Sequence, residues 1–572
     1  MIRYMVSRTV DQEDRIMKKI LKLTALFTAV TMCITGCGDS LGESTDVYTR
    51  EESLKELDAY WSEIKPSEIK APLDIYEDSE ESVTLADIST FPLVVEGKGD
   101  INIEVAAATE MSSKAPDNWM VEAAEKFNSS GATVSGRSVS VSVRKITSGE
   151  TVTYIEDGGY RPEVFAPSNS AWGDMLSAKG FRTVTLADRV AGNTAGVLME
   201  KSTYEDFKEK YGDVTVDKVL EASLAGDLTF AYTNPYTSST GLNILAAMLK
   251  AFDPSDPLSD EAASKLLDYQ KQSPPVAYTT SVLREQAAKG IIKAMVMEEQ
   301  AYKNTPELKN YVYTPAGIRH DHPMYTFDYV SADKQEAAKQ FVEFLKSDKM
   351  QKLATDKGFN LHDDYKSQEP GLDGAGWISA QKIWKASKDG GRPIIAVFVS
   401  DISGSMDGLP INSLKESLTA SAKYIGSDNY IGLVSYNDSV YINLPIEQFD
   451  ATHRAYFQGA VKQLTASGGT ATYDAVLVGL KMIEDKMEEV PDAKPMLFVL
   501  SDGDANRGVN LSRTTKIVGG LDVPVYTIGY NLTGGSAEEQ LKTLSSVNEA
   551  ALINAGSDDI VNQLRNLFNV QL

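Results

Sequence analysis

Asp401, Ser403 and Ser405 occupy alternate positions in Asp401-Ile402-Ser403-Gly404-Ser405-Met406, directly after the apolar run 394–400. A carboxylate and two hydroxyls leaving the end of a buried strand are hard oxygen donors, the set that holds a hard cation. Two later segments carry donors of the same kind. Gly468-Gly469-Thr470-Ala471-Thr472 precedes a helical pattern, and Leu500-Ser501-Asp502-Gly503 closes another apolar run.

Bringing these segments together takes a sheet whose strands end along one edge. Runs at 394–400, 430–435, 440–445, 496–501, 523–529 and 550–554 read as strands. Helical patterns at 413–424, 454–464, 473–487, 538–547 and 560–568 separate most of them. That alternation predicts an α/β domain over 392–572 with a doubly wound, mostly parallel, Rossmann-like sheet. A hairpin at Asn437-Asp438 would supply one antiparallel edge strand. Ligands of such sheets sit beyond the carboxyl ends of the strands, where the three segments fall.

Together, the three segments resemble a von Willebrand factor type A (vWA) domain with a complete metal-ion-dependent adhesion site. The resemblance implies that Asp401, Ser403, Ser405, Thr470 and Asp502 hold the metal, with no departure from the five-residue pattern. The implied ion is magnesium, or manganese or calcium. Magnesium asks for six oxygens and gives up water reluctantly. Three neutral hydroxyls and two carboxylates acting partly through water leave such an ion with room for one more anion, which a carboxylate on a protein partner can supply. Two plainer readings stand beside this one: a capped strand–helix turn, and a metal held for stability alone.

The middle of the chain, 99–367, alternates strands at 101–106, 139–144, 163–166, 228–232 and 294–297 with helices such as 119–128, 241–252 and 332–346. An α/β fold with parallel sheets is expected. Hydroxyls cluster after two strands, at Ser168 and Ser170 and at Thr237, Ser238, Ser239 and Thr240. Hydroxyls and free N–H groups at a helix start favour an anionic or carbonyl oxygen, although each is more often simply a cap. The segments TNPYTSSTGLNIL, VMEEQAYKN and FVEFLKSDKMQKLATDKGF resemble a bacterial extracellular solute-binding protein of the two-lobed, periplasmic-binding-protein-like type II kind. The resemblance implies a cleft that takes a small solute or oxyanion, with Ser168 and Ser170 on one lobe and Thr237, Ser238, Ser239 and Thr240 on the other. Residues 311–327 would return the chain between lobes. Glu298 could contact a ligand or pair with a lysine, and the lysine pairing is the expectation. His320 and His322 flank Asp321 with Pro323 following, which reads as a solvated loop rather than a metal site.

Lys18, Lys19 and Lys22 precede the apolar stretch 23–34, too short to span a bilayer and suited to a signal-peptide core. The ending Ile34-Thr35-Gly36-Cys37 resembles a bacterial lipoprotein signal, which implies cleavage after residue 36, lipidation of Cys37 and anchorage on the outer face of the cell membrane. The acidic residues Asp11, Glu13 and Asp14 suggest a start at Met17. Cys33 and Cys37 are the two cysteines of the chain, so the mature protein would form no internal disulfide. The formal charge is −25, and removing 1–36, with six Lys/Arg and three Asp/Glu, leaves 50 against 78, a net −28. Such acidity disfavours a nucleic-acid partner. Residues 37–98 read as an acidic tether with one helix at 51–64, with a small helical subdomain as the alternative, and 368–391 as a connector to the C-terminal domain.

These features lead to a noncatalytic, lipid-anchored binding protein that grips an acidic group on a protein partner. The alternative is a solute receptor of an ABC-type importer, with the C-terminal domain as a positioning module. An enzyme acting on phosphate esters would need a general base near Asp401, and none is evident.

Overall fold

The computed structural model describes residues 48–72 and 88–555, apart from 273, 278–279, 289, 291, 423–424, 531, 533–534 and 549–551. The signal segment, Cys37 and the expected helix at 560–568 lie outside the described residues. No described helix is long and apolar enough to cross a membrane.

The C-terminal domain is built on a seven-stranded sheet in the order Ser67–Glu68, Val440–Gln448, Tyr430–Tyr436, Ile394–Asp401, Lys494–Ser501, Val525–Tyr530, Leu552–Ala555. Strand Ile394–Asp401 is buried at every position, as its unbroken apolar run requires for a central strand covered on both faces. Its neighbours on either side run parallel to it. Val440–Gln448 pairs antiparallel with Tyr430–Tyr436 through the Asn437-Asp438 turn, but it is not the edge.

The edge strand is Ser67–Glu68, parallel to Val440–Gln448. It follows helix Arg50–Ile64, whose N-cap Thr49 and Glu52 form a reciprocal capping box. Leu57 (1% exposed) and Tyr60 (8%) on that helix lie in the same apolar core as Val397, Ile483 and Val518. Arg50 donates to Glu484 Oε2 at 2.5 Å and to the Leu521 carbonyl at 3.1 Å. Two glycines make the seat. A Cβ on Gly520 would stand 2.4 Å from the Tyr48 carbonyl oxygen, and one on Gly459 would stand 2.0 Å from that of Pro72. Residues 48–72 are therefore a strap built into the C-terminal domain rather than a free tether. The domain is discontinuous, and the two lobes are inserted between its edge strand and its central strand.

The first lobe carries the sheet order Leu93–Val95, Arg137–Lys145, Ile101–Ala107, Val164–Ala166, Met324–Phe327, Thr183–Ala187. The second departs from the parallel expectation. Ala294–Glu298, Thr194–Glu200 and Tyr311–Arg319 form an antiparallel sheet, and the expected strand at 228–232 shortens to Tyr232–Thr233. The chain returns to the first lobe through 320–323, between Tyr311–Arg319 and Met324–Phe327, with His322 N–H donating to Ser168 O at 3.1 Å. Residues 368–391 are more than a connector. They contain helix Gly374–Ser387, whose Trp377 and Trp384 are buried in the cores of the lobes.

Candidate functional site

At the end of strand Ile394–Asp401, Asp401 is fully buried. Its Oδ1 accepts the Ser403 backbone N–H at 2.7 Å, and its Oδ2 accepts the Ser501 hydroxyl at 2.6 Å. Ser405 donates to Asp502 Oδ1 at 2.8 Å, and the Ser403 and Ser405 hydroxyls lie 3.1 Å apart. Four of the five expected residues thus form one hydrogen-bonded cluster. Thr470 sits on the facing loop, which Gly404 N–H fastens through Gly468 O at 3.0 Å. Asn506 holds Thr470 at both ends, accepting its N–H at 3.1 Å and donating to its hydroxyl at 3.4 Å. Ser501 and Asn506 were not singled out from sequence, although Ser501 stands directly before Asp502 in a segment that was.

Burial pushes the Asp401 carboxyl upward. Hydrogen bonds from Ser501 and Ser403 offset part of the rise, and the Asp502 charge adds to it. Burial also raises Asp502, against the Ser405 hydrogen bond. No Lys or Arg is among the described groups acting on either carboxyl. Two carboxylates and three hydroxyls without a counter-charge are a donor set that fits a hard divalent ion.

A sign reversal is expected from this. A carboxyl raised in the folded state destabilises it at neutral pH when no cation is bound. In chelator, Asp401→Asn will melt at or above the wild-type temperature. In saturating magnesium the wild type will melt higher, since binding to the native state at a hundredfold over Kd contributes about 2.7 kcal/mol. Calorimetry with the same order in both buffers would remove the cation from this site.

The second cluster lies between the lobes. Ser168, Thr237, Ser238, Ser239 and Thr240 line a polar cavity of about 30 Å³. Ser170 does not, because it is exposed at the start of helix Ala171–Ala178. Ser238 also caps helix Ser239–Phe252, accepting Gly241 N–H at 3.4 Å, so capping and lining coexist at one residue. The lining residues missed from sequence are Thr109, Glu110, Thr147, Ser148 and Thr280, and Glu298, weighed there as a ligand contact, lines the cavity as well. Thr109 and Glu110 follow strand Ile101–Ala107, and Thr147 and Ser148 follow strand Arg137–Lys145. The rule that found Ser168 would have found them too.

The lobes meet across this cavity. Ser239 of the second lobe donates to Ser148 of the first at 3.2 Å, and Gly149 N–H donates to Thr237 O at 3.3 Å. Away from the cavity, Asp117 of the first lobe accepts from Arg284 at 2.9 Å, Gln300 at 2.7 Å and Asn304 at 2.7 Å of the second.

His320 and His322 are not solvated; both are fully buried. His320 Nδ1 lies 2.9 Å from Glu298 Oε1, so the partner of Glu298 is a histidine rather than a lysine. His322 Nδ1 faces the Ala191 carbonyl at 3.0 Å and its Nε2 faces Glu110 Oε1 at 2.9 Å. Both partners only accept, so both ring nitrogens carry protons and His322 is an imidazolium. Burial opposes that charge, but the hydrogen bond and charge of Glu110 outweigh it and raise His322. Burial likewise opposes Glu110 ionisation, and His322 outweighs it and lowers the carboxyl.

This pair sets a pH window. His322 stabilises fully below its unfolded value near 6.5, and that contribution is lost as pH rises through its raised folded value. Glu110 stabilises above its unfolded value near 4.5, and that is lost as pH falls through its lowered one. The His322 ring protons followed by NMR should titrate above 6.5 in the wild type and shift downward in Glu110→Gln. Equal midpoints would mean the pair carries no charge.

Residues 103–360 match the family model described as bacterial extracellular solute-binding protein, and residues 396–568 match that of the von Willebrand factor type A domain. The chain joins a solute-binding domain to a vWA domain. The strap at 48–72, which completes the vWA sheet, lies outside both matches. Uncharacterized protein sll0103 of Synechocystis is 26% identical over 141 residues, 24% of this chain and 32% of its own length. Inter-alpha-trypsin inhibitor heavy chain H3 of Mesocricetus auratus is 30% identical over 159 residues, 24% of this chain and 17% of its own length. The chain thus spans a third or less of these two relatives. Among solved structures, iron-bound HitA from Pseudomonas aeruginosa is 16% identical with a TM-score of 0.37, covering 51% of this chain and 99% of that one.

Proposed function

We propose that the protein is a lipid-anchored cell-surface binding protein whose vWA domain binds an acidic group on a protein partner through a divalent cation, while its solute-binding domain takes a small solute. The observation that carries the adhesion reading is the strand-end cluster in which Asp401, Ser403, Ser405 and Asp502 lie within hydrogen-bond distance of one another, two carboxylates and two hydroxyls facing the Thr470 loop. Asp401, Ser403, Ser405, Thr470 and Asp502 are the residues that would hold the ion. A bound magnesium or manganese ion would supply the missing positive charge and one coordination position for an outside carboxylate. Ser405 is exposed, so the cluster opens to solvent on one side, while Ser501 and Asn506 hold Asp401 and Thr470 in place. No catalytic role is assigned to any residue.

Lipidation at Cys37 would put the strap of the vWA domain nearer to the membrane in chain order than the solute-binding lobes. The proposed anchor therefore leads first into the vWA domain. Helix Gly374–Ser387 offers a coupling route between domains. Gln381 donates to Pro235 O at 2.8 Å and Trp384 to Tyr232 OH at 2.8 Å, both beside the hydroxyl loop, and the helix leads into the strand that ends at Asp401.

The deciding experiment is capture from cell-surface extracts by the full chain and by Asp401→Ala, each in magnesium and in chelator. Retention of partners only by the wild type in magnesium is expected. Capture indifferent to both changes would sink the adhesion reading. The importer-receptor reading is favoured by the closed, hydroxyl-lined cavity, and would gain if solute binding were tight and capture failed.

A further inference from the structure

We propose that the joint between the solute-binding and vWA domains holds a further binding site, for a small organic phosphate monoester. It is separate from the hydroxyl-lined cleft and from the oxygen cluster at Asp401, and it does not rest on the reading of either.

A cavity of about 350 Å³ opens at this joint. Its wall is drawn from helix Gly374–Ser387 and the segment after it, from the Tyr236 turn of the second lobe, and from the vWA residues that lead into strand Tyr430–Tyr436. The described charged side chains on the wall are Lys382, Lys385, Lys388 and Arg392 against Asp389 and Asp428, four cations to two carboxylates, a net +2. The whole chain carries −25, so the sign of charge is reversed locally.

The sequence sets up this concentration of charge. Lys382, Lys385 and Lys388 recur every third residue, which places their ammonium groups along one side of the helix end, where like charges repel. The carboxylates on the wall are shared among these cations. Asp389 Oδ2 lies 2.6 Å from Lys388 Nζ, and its Oδ1 lies 3.6 Å from Lys494 Nζ, a fifth cation outside the wall. Burial and the Lys388 charge push Lys385 down to about 8, against the pull of Asp389 and Asp428. Burial also lowers Lys388, against Asp389. An anion in the cavity would relieve the repulsion between the two ammonium groups.

A phosphate monoester carries about −1.5 to −2 at neutral pH and presents three acceptor oxygens, which suits a net +2 wall of lysine and arginine N–H groups. The volume is roughly ten times the share of one liquid water, so an organic body fits beside the phosphate. Tyr236, whose ring stands 6.0 Å from that of Trp384, gives that body an apolar face. The Tyr236 turn also carries Thr237 and Ser238 of the cleft, and Asn429 of the wall accepts the Ile394 N–H at 3.1 Å, at the start of the strand that ends at Asp401. A ligand here touches both domains.

The full chain in chelator is titrated calorimetrically with ribose 5-phosphate, inorganic phosphate, succinate and ribose. Saturable binding of ribose 5-phosphate is expected, tighter than phosphate or succinate, with none for ribose. Lys385→Met removes a wall cation and should weaken binding about tenfold, whereas Asp428→Asn removes a wall carboxylate and should tighten it about threefold. Neither residue lines the cleft or belongs to the oxygen cluster, so binding at those places would be blind to both changes. If Lys385→Met fails to fold, Lys382→Ala, at an exposed residue, takes its place with the same direction. Equal ribose 5-phosphate affinity in wild type and variants, no saturable binding, or tighter binding of succinate or ribose each overturns the proposal. Sedimentation with phosphatidylglycerol vesicles that is lost in Lys385→Met would assign the wall to a lipid surface and overturn it as well.

Discussion

Gly149→Val will leave both solute-binding lobes folded and hold them apart. Gly149 lies in the first turn of helix Ser148–Asp157, and a Cβ there would stand 2.0 Å from the Tyr236 carbonyl oxygen and 2.7 Å from the Thr237 Cα. Both atoms are backbone of the opposite lobe, so rotamer change cannot relieve the clash. The variant cannot keep the Gly149–Thr237 hydrogen bond or bring Ser148 against Ser239. The three atoms nearest that Cβ all belong to Tyr236 and Thr237 of the second lobe, so the first lobe's own melting should change little. Apparent affinity falls with the population of the closed form, and confining that form to about one part in a hundred weakens a cleft ligand about a hundredfold. Small-angle scattering should show a larger radius of gyration in the variant. A radius and a solute affinity equal to wild type would mean that closure does not pass through this contact.

Leu57→Ala will destabilise the vWA domain, although it lies more than three hundred residues before that domain's central strand. Leu57 is 1% exposed in the vWA core, and leucine-to-alanine changes at such sites cost about 2–5 kcal/mol. For a domain of this size each kcal/mol moves the melting temperature by about 2–4 °C. Calorimetry of the full chain should show the vWA transition lowered by roughly 4–20 °C and the solute-binding transition unmoved. Gly520→Val should act alike by pushing the strap from its seat at the Tyr48 carbonyl. A shift confined to the solute-binding transition would mean the strap belongs elsewhere.

Much of the vWA domain could be read from sequence because its signals are local. The run Ile394–Asp401 is buried at every position, and in the first solute-binding lobe helix 119–128 likewise occurs with the bounds its spacing suggests. In the second lobe the local signals misled. Strand Thr194–Glu200 pairs antiparallel on both sides, and an apolar run carries no mark of the direction of its partner. Ser170 shows the same limit at a site: it shares a loop with Ser168, yet it is exposed at the helix start while Ser168 faces the cavity.

The two-domain α/β architecture and the strand-end oxygen cluster were legible in the chain, since donors at Asp401, Ser403, Ser405 and Asp502 follow apolar runs whose period and length are set by neighbouring residues. Tertiary structure alone decided the strap, in which Arg50 meets Glu484 across 434 positions, and the charge of the cleft, in which Glu110 meets His322 across 212. A buried carboxylate is paired by whichever group the fold brings within hydrogen-bond reach, and chain distance says nothing about which group that is. For that reason His320 and His322 read as a solvated loop in the chain and stand buried against Glu298 and Glu110 in the folded cleft.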